Sequence, residues 1–96
     1  MQSTYVVAYD ICHPKRLRRV HKLMRGFGEP IQYSVFRCEL GPQDLAILRG
    51  RLADLIKPSK DQVLFIHLGP TEGRGGHAIT SIGKPYIAEI DDVIIV

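Results

Sequence analysis

The chain has 96 residues and a mass of 10.8 kDa, room for one domain over residues 1–96 and no second. With 45% hydrophobic and 24% charged residues and no Trp, the composition is that of a globular chain and excludes collagen-like, low-complexity and disordered readings. Thirteen Lys and Arg against ten Asp and Glu leave a net charge of +3, compatible with a polyanionic partner. No apolar run reaches the roughly 20 residues that span a bilayer. The opening Met1-Gln2-Ser3-Thr4 lacks the basic-then-apolar pattern of an export signal, so a soluble cytoplasmic protein with no membrane partner is expected. A chain this short buries only roughly 60–70% of its unfolded surface, which gives oligomerisation a physical motive. Cys12 and Cys38 belong to no CxxC pair and are expected as reduced thiols.

In chain order, Tyr5 to Tyr9 is a short β-rich run without clean alternation, as in a central strand covered on one face or on both, and Asp10 stands at its exit. His13 is a poor helix cap. Pro14 at a first helical position, with Leu17, Val20, Met24 and Phe27 at spacings of three and four, nevertheless predicts an amphipathic helix stopped near Gly26 or Gly28. Pro30 to Leu40 reads as extended, either one bent strand or two strands breaking near Ser34. Gly41-Pro42 opens a second helix whose stripe is Leu45, Leu48, Leu52, Leu55 and Ile56, with Pro58 as its stop.

Val63 to Leu68 is another buried strand, and the glycine-rich run Gly69 to Gly76 predicts a mobile loop. Ala78 to Ile82 is expected to form a brief edge strand. The apolar tail Val93 to Val96 predicts a last strand that must dock on the sheet or on a second copy. The order strand, helix, one or two strands, helix, strand, with the helices on one face of a largely antiparallel sheet, predicts an α+β ferredoxin-like βαββαβ fold with an extra C-terminal strand.

Charge is concentrated in the first helix. Lys15, Arg16, Arg18, Arg19, Lys22 and Arg25 are six of the thirteen cations, with no acid among them. At about 100° per residue, all but Arg16 fall in a sector about 120° wide, opposite the Leu17, Val20 and Met24 stripe. Such a stripe suits a nucleic-acid backbone, or is a solvated face answered by Glu29, Glu39 or Asp54. Asp10, at a strand exit, is the carboxylate a hard cation such as Mg2+ wants, or a loop residue making a turn or cap.

His13, His21, His67 and His77 lack zinc-ligand spacing, and His67 is expected on a strand facing a helix or solvent. The Gly69 to Gly76 loop lacks the phosphate-cradling glycine patterns. Neighbouring Asp91 and Asp92 would point to opposite faces of a strand, against a shared metal. Ser34 reads first as a turn or polar strand residue.

Tyr9-Asp10-Ile11 after a first strand, the Arg-rich first helix, Gln32-Tyr33-Ser34-Val35-Phe36 and the Val63 to Leu68 strand together resemble the second of the universal CRISPR-associated proteins, the small Cas endonuclease of spacer acquisition. The resemblance implies a ferredoxin-like homodimer in which the matched aspartate, Asp10, of each protomer faces its counterpart and holds a divalent metal, usually Mg2+. It implies metal-dependent cleavage of RNA or DNA phosphodiesters and a role bridging the CRISPR integrase. Arg16, Arg18 and Arg19 would sit where that family places phosphate-facing residues, Lys22 extends the set, and Ser34 and Phe36 match its SVF segment as nucleic-acid contacts. Pro30 stands where some members carry a basic residue, and Cys12-His13-Pro14 replaces a more acidic loop, leaving Asp10 without an obvious acidic companion in its own chain.

The expected chemistry is hydrolysis by water activated on Mg2+, with paired Asp10 carboxylates positioning the ion and the arginines neutralising phosphate charge. Two other readings stand beside it: a non-catalytic DNA-binding scaffold for the integrase, and a small-molecule sensor using the Gly69 to Gly76 loop.

Overall fold

A computed structural model of the chain describes residues 1–86. The expected strand at Val93 to Val96 and the Asp91-Asp92 pair lie outside the described residues. Strand β1 (Ser3–Asp10) leads to helix α1 (Pro14–Arg25), then β2 (Gly28–Gln32), β3 (Val35–Leu40), helix α2 (Pro42–Leu55) and β4 (Gln62–Pro70). The sheet order is β2-β3-β1-β4 with every neighbouring pair antiparallel, the split βαβ arrangement expected of a ferredoxin-like fold.

Alternation along β1 decides which face each residue serves. Val7 and Tyr9 point into the helix-covered core with Phe36, Cys38 and Leu40 of β3, while α1 supplies Val20 and Met24 and α2 supplies Leu48 and Leu52. Fully burying a side chain such as Phe36, Met24 or Leu48 stabilises by roughly 1.5–3 kcal/mol each, so this one layer holds the helices to the sheet.

Both helices begin with proline, whose missing N–H would have no intrahelical partner at that position. His13 caps α1 better than its residue type predicts, its Nδ1 accepting from the Lys15 amide at 3.1 Å. Phe27, expected on the helical stripe, lies past the helix end but still packs on the core. Gly28 follows, where a Cβ would collide with the Arg37 carbonyl and Cys38 Sγ, so β2 pairs closely with β3 only through glycine.

Pro30 to Leu40 is two strands. They turn at Tyr33-Ser34, with Ser34 at φ 62°, the left-handed region a hairpin turn demands. The Gly69 to Gly76 segment is not the mobile loop expected. β4 continues to Pro70, Thr71 donates its amide to the Gln2 carbonyl at 3.0 Å, and a 3-10 turn, Arg74–His77, buries Gly75 against β1 and β4. The edge strand expected at Ala78 to Ile82 is absent: the chain there is irregular, and no strand of the sheet pairs with it. His67 stacks on Tyr5, ring centroids 4.9 Å apart.

Candidate functional site

Asp10 is the last residue of β1, one of the two inner strands of the sheet, and is exposed. Alternation sets it on the helix-free face with Val6 and Ala8, and its register partner on β4 is Gln62. The same face carries Leu64 and Ile66, 48% and 45% exposed, opposite Ala8 and Val6. Farther across the sheet, that face is closed differently: Arg37 is buried, its guanidinium 2.8 Å from Glu39, and the phenol of Tyr86 is buried within reach of their charges.

The backbone around Asp10 is anchored on both sides. Tyr9 donates its amide to the Ser34 carbonyl at 3.0 Å, and two residues beyond Asp10 the Cys12 amide donates to Asp61 Oδ1 at 2.9 Å. Asp61 also accepts from the Lys57 amide and from Arg16, whose Nε lies 2.7 Å from Oδ2. The hydrogen bond from Arg16 is the main reason the Asp61 carboxyl is held far below the ordinary carboxylate range; the two amides add to it, and burial opposes it.

Arg16 is therefore committed to Asp61, consistent with its place outside the cationic sector. Lys15, Arg18, Arg19, Lys22 and Arg25 stand exposed, and none is ion-paired among the described residues. Glu39, one acid considered as their partner, is taken by Arg37. From α2, Arg51 lines a groove with Arg19 and Lys22 and lies over the Phe27 ring, so the positive surface continues onto the second helix.

Phe36 requires a correction. It is 0% exposed, within 6.2 Å of the Tyr9 ring and edge-on to His21, and is a core residue with no surface to offer a nucleic acid. Ser34 is the hairpin turn and lines a cavity with Arg18 and Lys22. The sequence reading missed Asp61, Arg51 and the pairing of Tyr9 with His21, whose hydroxyl and Nδ1 lie 3.0 Å apart. All three act through contacts distant in sequence, and no local pattern announces them.

Among the described residues no three His, Cys, Asp or Glu side chains gather to hold a metal ion. Asp10 offers hard oxygen donors at a rigid, open strand end. Mg2+ is commonly held by one or two carboxylates with phosphate and water completing its shell, and the Asp10 carboxylate is a donor of that kind.

Fold and site together define a small split βαβ protein that sets one carboxylate at the end of an inner strand and a cationic flank on the helix that follows. A family profile described as CRISPR associated protein Cas2 matches residues 3–73, and the chain belongs to this family. It is 42% identical over 85 residues, 88% of this chain and 82% of the relative, to CRISPR-associated endoribonuclease Cas2 1 of Rhodospirillum rubrum. It is 34% identical over the full length of both chains to CRISPR-associated endoribonuclease Cas2 of Geobacter sulfurreducens. Among solved structures it resembles hypothetical protein TT1823 from Thermus thermophilus, with a TM-score of 0.77 and 29% identity over 93% of this chain and 100% of that one. It also resembles Cas2 of Streptococcus pyogenes, with a TM-score of 0.71 and 30% identity over 83% and 99%. Among the described residues no helix is long and apolar enough to cross a membrane.

Proposed function

We propose that this chain is a divalent-metal-dependent endonuclease that cleaves nucleic-acid phosphodiesters, RNA foremost, in the service of CRISPR spacer acquisition, and that it works as a homodimer. The observation that carries the proposal is the placement of Asp10: exposed, at the anchored exit of an inner strand, on a sheet face whose Val6, Ala8, Leu64 and Ile66 invite apolar cover. Two copies joined through that face would bring their Asp10 carboxylates together. The names of the relatives, endoribonucleases, support RNA as substrate.

Asp10 of each protomer would hold the ion, with Mg2+ favoured by its oxygen donors. Bound there, a divalent ion supplies Lewis-acid stabilisation of the phosphate and activation of water. The protein's own contribution is positional: the bonds from Tyr9 and Cys12 fix the strand exit, and Arg18, Arg19 and Lys22 bind the substrate backbone. Asp10→Ala is expected to abolish metal-stimulated cleavage while leaving fold and dimer intact; equal cleavage by highly purified variant and parent refutes the assignment.

A second reading, a DNA-binding scaffold bridging the CRISPR integrase, draws support from the cations standing on α1 rather than on the strand that carries Asp10. It predicts that Asp10→Ala retains integrase-dependent DNA insertion and that loss of Arg18 and Arg19 abolishes it.

A further inference from the structure

A cavity of about 490 Å3 opens between α1 and the tip of the β2–β3 hairpin, a size in the roughly 300–1,000 Å3 range of ligand sites. Neither the Asp10 chemistry nor backbone neutralisation requires it. Its inner wall is apolar and aromatic, built from Tyr9, Leu17 and His21, while Arg18, Lys22 and Arg25 supply charge around it. Tyr33, at the hairpin tip, is 80% exposed, a large aromatic surface held in water beside three cations. With Nδ1 of His21 engaged by Tyr9, Nε2 is the ring atom left to meet a polar edge.

A free inorganic anion would use the cations and gain nothing from the apolar wall. An apolar peptide would bury the wall and leave three cations unanswered. A nucleotide satisfies both, because it joins a flat apolar ring with polar edges to a charged phosphate. We propose that this cavity receives one unstacked nucleobase of a single-stranded nucleic acid, its face on Tyr33, its edge toward Tyr9 and His21, and its neighbouring phosphates on Arg18, Lys22 and Arg25. The inference rests on the nucleic-acid reading above and adds a subsite to it: the chain grips bases as well as backbone, and prefers strands whose bases are free to leave the stack.

The test compares binding of the full chain, by fluorescence anisotropy across a salt series, to a short single-stranded RNA and to an abasic strand of the same length and charge. The base-bearing strand is expected to bind about tenfold more tightly, as one base–aromatic stack allows. Tyr33→Ala is expected to erase that preference without changing the salt slope, and Tyr33→Phe to keep it. Equal affinity for the two strands with a steep, shared salt dependence overturns this inference alone, as does a preference that survives Tyr33→Ala. Absence of salt-dependent binding to either strand overturns the nucleic-acid reading and this inference with it.

Discussion

Arg16 donates to both carboxylate oxygens of Asp61, at 2.7 Å through Nε and 3.2 Å through an Nη, and thereby ties the start of α1 to the loop that enters β4. The same carboxylate takes the amides of Cys12 and Lys57, so the segment from β1 into α1 and the loop before β4 close on one buried group just past Asp10. Asp61 is thus a positioning residue for the strand exit.

The Asp61 carboxyl is depressed below its ordinary value of 3.8. A depressed carboxylate contributes stability that is complete above the unfolded-state value and is lost as pH falls through the lower folded-state value. Asp61→Asn is therefore expected to melt below the parent at neutral pH, with the gap narrowing once the pH drops under about 4. Parallel melting curves from pH 7 to pH 3, followed by circular dichroism, check this; a constant gap would place the cost in packing rather than charge.

Arg16 and Arg18 are two residues apart in sequence yet differ in commitment. Replacing Arg18 and Arg19 together by Gln is expected to flatten the slope of log K against log salt by roughly 0.9 per lost phosphate contact on duplex DNA, or about 0.7 on single strands. Arg16→Gln is expected to leave the slope alone and lower the melting temperature. An Arg16 effect on the slope equal to that of Arg18 would mean that Asp61 releases it to the ligand.

Leu64 and Ile66 lie on the helix-free face, half exposed, and leave the core through β4 to Val63 and Phe65. Ile66→Glu is expected to keep a folded chain, to sediment as a monomer and to lose metal-stimulated cleavage together with the dimer. A dimeric Ile66→Glu protein would rule out this face as the interface.

The two thiols should separate by reactivity. Burial pushes Cys38 up to about 12, whereas Cys12 is exposed, its Sγ 2.9 Å from the Lys60 carbonyl. A thiol reagent at pH 8 is expected to label one equivalent rapidly and the second only with unfolding, since the thiolate is the reactive form. Mass spectrometry assigns the first to Cys12; rapid labelling of Cys38 would contradict its burial.

Ser34 occupies a left-handed turn position. Ser34→Val is expected to destabilise by about 1–2 kcal/mol in urea titrations, and Ser34→Gly to be neutral or mildly stabilising. Equal stability of the Val variant would show that the turn relaxes.

The fold was legible where periodicity or punctuation was strong. Pro14 and Pro42 mark helix starts because proline costs nothing where an amide has no partner, and the Leu48 and Leu52 stripe reports the buried side of α2 directly. The glycine run misled because Gly75 and Gly76 serve close packing rather than freedom: a Cβ on Gly75 would strike the Gly69 carbonyl, and one on Gly76 the Thr71 carbonyl. Phe36 misled for a related reason. A motif match assigns a residue to a segment, and only the register of β3 against β1, with Phe36 opposite Val7, turns it inward. Asp10 and the cationic stripe were readable because strand ends and helix faces follow from local sequence, whereas Asp61 was not, since its partner Arg16 is 45 residues away.

The one-sided helix α1 makes ionic strength act in opposite directions on the free and the bound protein. Its five exposed cations repel one another when no polyanion lies across them, and that repulsion is screened beyond roughly 10 Å at 0.1 M salt. Adding salt should thus firm the unliganded polypeptide while loosening the complex, until the two melt together. A buffer chosen for the shelf life of this protein is then the wrong buffer for observing what it holds.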